Sequence, residues 1–327
     1  MISVHWIINI FILVCSSSYI NQDQLDFVKG FYGNKFSVEE SYPDQVSWRS
    51  YANVQLKVEG PARDKERIYP NDLWLAIIHT LPKNLKNIEN TRNTWCNTTL
   101  QKRYSFKCIF VLVESTVREQ NKYDELIHLN ETYHDIYFIT MPDLPEHWFT
   151  LQQKNIAAYI LARDLFPNYH FYSRVDDQIV VTVDLLSDFL SEHLTQPTVI
   201  GQLHQHRPYK NPQHKYYDPL AKNLRRYFLF PSGYLSLFSA NIIDYIAQWK
   251  NYYSFAPSAL EDPGFGHWIY KYAIETHQLI DIIKPLNWGG HMKSNSYGDF
   301  IVYHSQEGDL NQTELFQRRL NDGYMKI

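Results

Sequence analysis

The apolar residues of this chain gather into short runs separated by polar stretches. Leu73 to Ile78, Lys107 to Val113, Asp135 to Ile139, His170 to Val175 and Thr198 to Gly201 are runs of strand length. Between the first two lies a polar stretch with helical character that ends near Arg92-Asn93-Thr94-Trp95. A helix is predicted from about Trp148 to Phe166, where Ile156, Tyr159 and Ile160 share a face and Pro167 stops it. Strands alternating with helices imply an α/β sheet covered on both faces. In such sheets ligands bind outside the carboxyl ends of the strands.

The fourth run ends at such a position in Arg174-Val175-Asp176-Asp177-Gln178, and an apolar run, Ile179 to Val181, follows at once. Carboxylates at a buried strand end are costly unless something positive meets them. A divalent metal carrying a nucleotide diphosphate is one such partner. A loop cap or solvated turn is the bland alternative, and the apolar flanks argue against it. Leu260-Glu261-Asp262-Pro263-Gly264 is a second acidic constellation, followed by an aromatic helix-like stretch from His267 to Ala273. Acids before a helix serve as caps; a general base taking a proton from a hydroxyl is the functional reading. Gly233, within Arg226 to Ser236, allows close backbone approach or marks a simple loop. His204 and His206 would share a strand face, but no third zinc ligand stands nearby. His304 reads alone as structural.

Residues 21–70 are polar and mixed in charge without a strong period, and read as a stem or linker ahead of a domain at 71–327. Met1 to Gln22 holds no charged side chain, and its apolar core is shorter than the ~20 residues of a membrane span. Residues 1–20 therefore read as a signal peptide or a short signal-anchor. Sequons at Asn97, Asn130 and Asn311 favour the same secretory route. Of three cysteines, Cys96 and Cys108 make the one available pair inside the domain, bridged if the compartment is oxidising.

Composition adds little. A 44% hydrophobic and 20% charged chain of 327 residues forms a packed core, and a net charge of −4 gives no reason to expect nucleic acid as partner. The 25 Tyr and 18 Phe are a weak hint of sugar binding.

Taken in order, these blocks resemble the β-1,3-galactosyltransferase family with its brainiac and Fringe relatives. Thr91-Arg92-Asn93-Thr94-Trp95 resembles its Arg-x-Thr-Trp motif, and Glu131 to Ile136 its acidic Gly-Asp-Ile block, with His134 for Gly. Leu151 to Lys154 stands where a Leu-Thr-x-Lys stretch is usual. Arg174 to Gln178 falls on Lys-x-Asp-Asp-Asp. Gly201, Arg207 and Lys215-Tyr216 stand where that family has a Gly, an Arg and a Lys-aromatic pair. Phe230 to Ser239 is similar to its Gly-x-Gly-Tyr block, Glu261-Asp262 with Gly266 to Glu-Asp-Val-x-x-Gly, and His304-Ser305 to a late His-Ser.

The resemblance implies a GT-A type single domain, an α/β/α sandwich with a Rossmann-like sheet. It implies an inverting hexosyltransferase of the Golgi lumen, membrane-anchored or secreted after cleavage, that uses a UDP-sugar, manganese and a glycan acceptor on glycoprotein or glycolipid. Asp262 would be the base. Arg92, Asp176, Asp177 and Glu261 would hold the donor, and Gln178 and His304 the metal. Gln178 replaces the acid that usually grips the cation; an amide ligates but brings no charge. A non-catalytic helper that binds glycans is the alternative reading.

Overall fold

The computed structural model describes residues 37–38, 54–59, 68–221, 224–289, 300–304 and 312–321. In chain order the first half forms β1 (Ser37–Val38), β2 (Val54–Glu59), β3 (Trp74–His79), α1 (Leu85–Arg92), α2 (Thr98–Arg103), β4 (Phe106–Val113), α3 (Glu114–Glu119), α4 (Tyr123–Tyr133) and β5 (Ile136–Ile139). Next come α5 (Leu151–Leu165), β6 (Phe171–Asp176), β7 (Ile179–Val181), α6 (Val183–Ser191), β8 (Thr198–His204) and β9 (Phe230–Ser239). The rest comprises α7 (Ala240–Ile246), α8 (Trp249–Tyr252), β10 (Ser254–Phe255), α9 (Glu261–Thr276), β11 (Ile280–Pro285), β12 (Val302–His304) and α10 (Gln312–Asn321).

Eight strands make one sheet in the order β2-β11-β8-β9-β6-β3-β4-β5. Every pairing is parallel except those of β9 with β6 and β8. β3 is buried at all six positions, which is why its sequence is an unbroken apolar run: helices cover both faces. One face packs on side chains of α1, α2, α4 and α6, among them Ile88, Leu100, Leu126 and Phe189. The other packs on α5, α7 and α9 through Ile156, Ile243, Phe265 and Trp268. The α/β/α sandwich expected from the sequence is the fold.

Two expectations are corrected. The stem reading of 21–70 fails at 54–59, where β2 joins the main sheet as an edge strand parallel to β11. β1, also inside that span, pairs with β10. Val54, Leu56 and Val58 alternate with Gln55, Lys57 and Glu59, a short period-two signal diluted by polar flanks. Lys57 pairs with Asp281 on the neighbouring strand. The second correction concerns 226–236. It is no simple loop: from Phe230 it becomes the long antiparallel strand β9 in the middle of the sheet. Its Pro231 and Gly233 disguise it, since both residues are depleted in strands.

Residues 1–20 and Asn311 lie outside the described residues; among those described, no helix is long and apolar enough to cross a membrane. Asn97 caps α2 by accepting from the Thr99 amide (2.8 Å), and Asn130 accepts from the Ile136 amide (2.8 Å). Cys96 and Cys108 form a disulfide across 12 positions, with Cα atoms 5.9 Å apart. It joins the α1–α2 turn to β4, next to the stacked rings of Trp74, Trp95 and Phe106. Closing a loop of this length restricts the unfolded chain. Reduction, or Cys96→Ala/Cys108→Ala, is expected to cost about 2–3 kcal/mol in chemical denaturation; an unchanged midpoint would contradict this.

Candidate active site

The carboxyl end of β6 and the first turn of α9 meet around one buried cation. Arg174, third from the end of β6, donates from Nη1 to Asp176 Oδ1 (2.6 Å) and to the Gly233 carbonyl. Its Nε lies 2.6 Å from Glu261 Oε1, and its Nη2 donates to Glu261 Oε2 at 3.1 Å. Glu261 also accepts from Asn155 Nδ2 (2.8 Å) in the first half of α5. Asn155 is one of four buried polar residues, Gln152 to Asn155, near the start of α5; Lys154 pairs instead with Glu146, and Gln152 accepts from the Ala256 amide. Glu261 is thus locked in place by a two-pronged ion pair and an amide.

Asp262, the next residue, points elsewhere. Its carboxylate accepts from the backbone N–H of Gly233 on β9. A Cβ at Gly233 would overlap Asp262 Oδ1, so only glycine lets strand and carboxylate approach this closely. Burial raises the Asp262 pKa to about 6; Arg174 and the Gly233 amide pull against that rise. Burial likewise raises Glu261, again opposed by Arg174. Both acids start α9, where a positive helix end favours them, and Pro263 falls where no intrahelical N–H bond is needed.

Glu261 and Asp262 floor a cavity of about 660 Å³. Its walls are aromatic: Trp148, Tyr209, Tyr216, Phe230, Tyr234 and Trp288 line it. His204 and His206 line it too, so the two histidines read as a possible zinc pair belong to the same cleft as Asp262. His206 packs edge-on against Tyr227 and Phe230. From the sequence, Tyr216 and the Phe230–Tyr234 stretch stood out only as motif positions, Trp148 only as a predicted helix start, and Asn155 not at all.

The paired aspartates divide. Asp176 is part-exposed beside Arg174. Asp177 is buried and turned inward, accepting from Thr80 Oγ1 (2.7 Å) and Asn84 Nδ2 (2.9 Å), with Asn87 also bonded to it. It ties the β6 end to the loop after β3. Burial raises its pKa, and these donors oppose the rise. Arg92 is not brought to the cleft. Its guanidinium grips Asp135 (Nε to Oδ2, 2.9 Å) and stacks on Tyr133, beside β5 and three strands from β6. Trp95, from the same motif, is nearer the chemistry: its Nε1 donates to the Ile179 carbonyl (2.8 Å), fixing the chain just past Gln178.

Gln178 is exposed at the turn between β6 and β7. β12 pairs antiparallel with β7, setting His304 opposite Ile179, so the sheet brings His304 to the neighbour of Gln178 across a long sequence gap. Among the described residues, no group of three His, Cys, Asp or Glu is placed to hold a metal ion. The side chains this turn carries, the Asp176 carboxylate and the Gln178 amide, are oxygen donors of the type a hard dication takes, with one negative charge between them.

A family model described as galactosyltransferase matches residues 87–280. No curated protein matches the chain. Among solved structures, the chain is similar to a glycosyltransferase involved in glycosylation of the major capsid of PBCV-1 (9% identity, 76% of this chain and 99% of that one, TM-score 0.35). It is also similar to the mannosyltransferase Ktr4p from S. cerevisiae (9% identity, 80% and 84% covered, TM-score 0.35). Likenesses this remote carry no argument about the site.

The Gly233–Asp262 contact is testable. Gly233→Ala forces the Asp262 carboxylate aside and breaks its backbone bond. Sugar transfer should fall about 100-fold, the cost of a misplacement near 1 Å, with the thermal midpoint little changed. Full activity in the alanine variant would show that Asp262 need not sit against β9.

Proposed function

Because the chain belongs to the galactosyltransferase family, and is a glycosyltransferase, we propose that it moves a hexose from a UDP-sugar to a glycan hydroxyl with inversion, in a β-1,3 linkage. The observation that supports this best is the half-buried Asp262 carboxylate at the floor of an aromatic cavity, held by a backbone amide and outside the direct Arg174–Glu261 ion pair. Aromatic faces suit the C–H faces of sugar rings and exclude water from the reacting atoms.

In this reading the acceptor hydroxyl gives its proton to Asp262 as its oxygen bonds to the anomeric carbon. The bond from that carbon to the diphosphate breaks on the opposite face, and UDP leaves with the electron pair. A raised pKa makes Asp262 a stronger base than an exposed aspartate while leaving it ionised near neutrality. Arg174 and Glu261 position the strand end and helix start and touch neither substrate. Asp176 lies on the donor side; Asp177 holds the loop after β3 in shape. Asp176, Gln178 and His304 would hold a dication, manganese by family precedent, which when bound stabilises charge on the leaving diphosphate.

The same reading places the chain in the Golgi lumen, held by an uncleaved N-terminal segment or secreted after cleavage, with sugars on Asn97, Asn130 and Asn311. Gln178 supports a second reading, a non-catalytic glycan-binding helper, because the turn keeps a single carboxylate facing outward.

Two measurements decide. Asp262→Asn should lower kcat at least about 100-fold and leave calorimetric UDP affinity unchanged; the wild-type rate should fall as pH drops through about 6, where Asp262 takes up its proton. Unaltered turnover in the variant would remove the base from Asp262. No turnover of any UDP-sugar by the wild type would favour the helper. Separately, Gln178→Asp restores an anionic donor, so manganese should tighten UDP binding by a further factor of about ten; an unchanged manganese effect would remove Gln178 from the metal site.

A further inference from the structure

The segment joining β8 to β9 is electrically unlike the rest of the chain. From Gln205 to Tyr227 it carries Arg207, Lys210, Lys215, Lys222, Arg225 and Arg226 against one acid, Asp218, in a protein of net charge −4. That acid does not neutralise the segment's surface. Asp218 is buried and accepts from Tyr227 Oη (2.8 Å), Ser258 Oγ (2.6 Å) and the Ala259 amide (3.0 Å). It therefore staples the segment to the residues just ahead of Glu261 and Asp262. The segment also closes on itself, with the Tyr227 amide donating to the His206 carbonyl (3.0 Å).

The described part of this segment is a rim with two kinds of surface. Tyr209 and Tyr216 face the cavity that Asp262 floors, their rings 6.2 Å apart, and Trp148 lies 6.4 Å beyond Tyr216. Pro208 and Lys210, the neighbours of Tyr209, turn into an adjoining cavity of about 650 Å³ that Arg207, Leu224 and Arg225 complete. Arg207, Lys210 and Arg225 are exposed, and no carboxylate among the described residues pairs with them. Three cations thus border an aromatic wall whose floor is anionic.

We propose that the acceptor is an acidic saccharide, a chain bearing uronate or similar anionic groups. Its rings lie against Trp148, Tyr216 and Tyr209, and its anion sits at Arg207, Lys210 and Arg225. This rests on the transferase reading and names its acceptor class. The charge arrangement also gives direction: Asp262 repels the anion while the rim attracts it, so a neutral hydroxyl is what reaches the base. A nucleic acid also combines stacking with negative charge, but one phosphate at every step would force charge onto the carboxylate floor. A uronate chain spaces its charges by neutral sugars.

The test is calorimetry on the full chain with three probes: unsulfated chondroitin tetrasaccharide, its carboxyl-reduced counterpart, and a tetranucleotide. The uronate form should bind about tenfold more tightly than the reduced form, the sum expected of a few exposed charge pairs. The preference should vanish in Arg207→Gln/Lys210→Gln and in Arg225→Gln, and shrink at high salt. Equal affinity for the two tetrasaccharides, an unchanged preference in the variants, or equally tight tetranucleotide binding would each overturn the proposal. UDP affinity in the same samples separates it from the transferase reading. UDP binding without uronate preference defeats the rim alone. Uronate preference without UDP binding leaves the rim standing and defeats the transferase.

Discussion

Everything at the site hangs on burying one guanidinium. Arg174 enters the core on β6, a strand with no other charge before its last residue, and can remain there only if carboxylates meet it. Asp176 and Glu261 do so, from the strand end and from the start of α9. Removing the arginine would leave Glu261 buried and uncompensated, a cost of about 3–5 kcal/mol by analogy with broken buried pairs. The pair therefore fixes where the helix begins relative to the sheet, and with it the position of Asp262.

Adjacent acids take opposite jobs in both acidic motifs. Both Glu261 and Asp262 line the cavity, but the first is tied to Arg174 and Asn155 and the second rests against Gly233. In Asp176-Asp177 the second is bound by Thr80 and Asn84 and the first stays partly open. The strand end separates the second pair: Asp176 is the last residue of β6 and Asp177 the first of the turn that follows. Successive helical positions, about 100° apart, separate the first. A carboxylate spent on structure is what lets its neighbour be held rigidly without being neutralised.

Much of the site was legible in the chain. Apolar runs ending in acids announced strand ends, and Gly233 marked a close approach. Other features left no local mark in the chain. Arg92 lies in a motif shared with Trp95, but its partner is Asp135, far along the chain, and a salt bridge of that kind leaves no local mark. β9 hid behind Pro231 and Gly233. The edge strand β2 is too short for its period to stand out from polar neighbours.

What the sequence by itself determined is the layered α/β architecture, because strand and helix periods are local properties, and the identity of the acids, because paired carboxylates beside apolar runs need a reason to be there. What only the tertiary structure decided is which acid does what. Orientation depends on partners brought from distant positions: Gly233 beneath Asp262, Asn155 and Arg174 around Glu261, Ile179 opposite His304. The basic rim shows the same division. Its charges can be counted in the sequence, but only the Asp218 staple puts them beside the aromatic cavity.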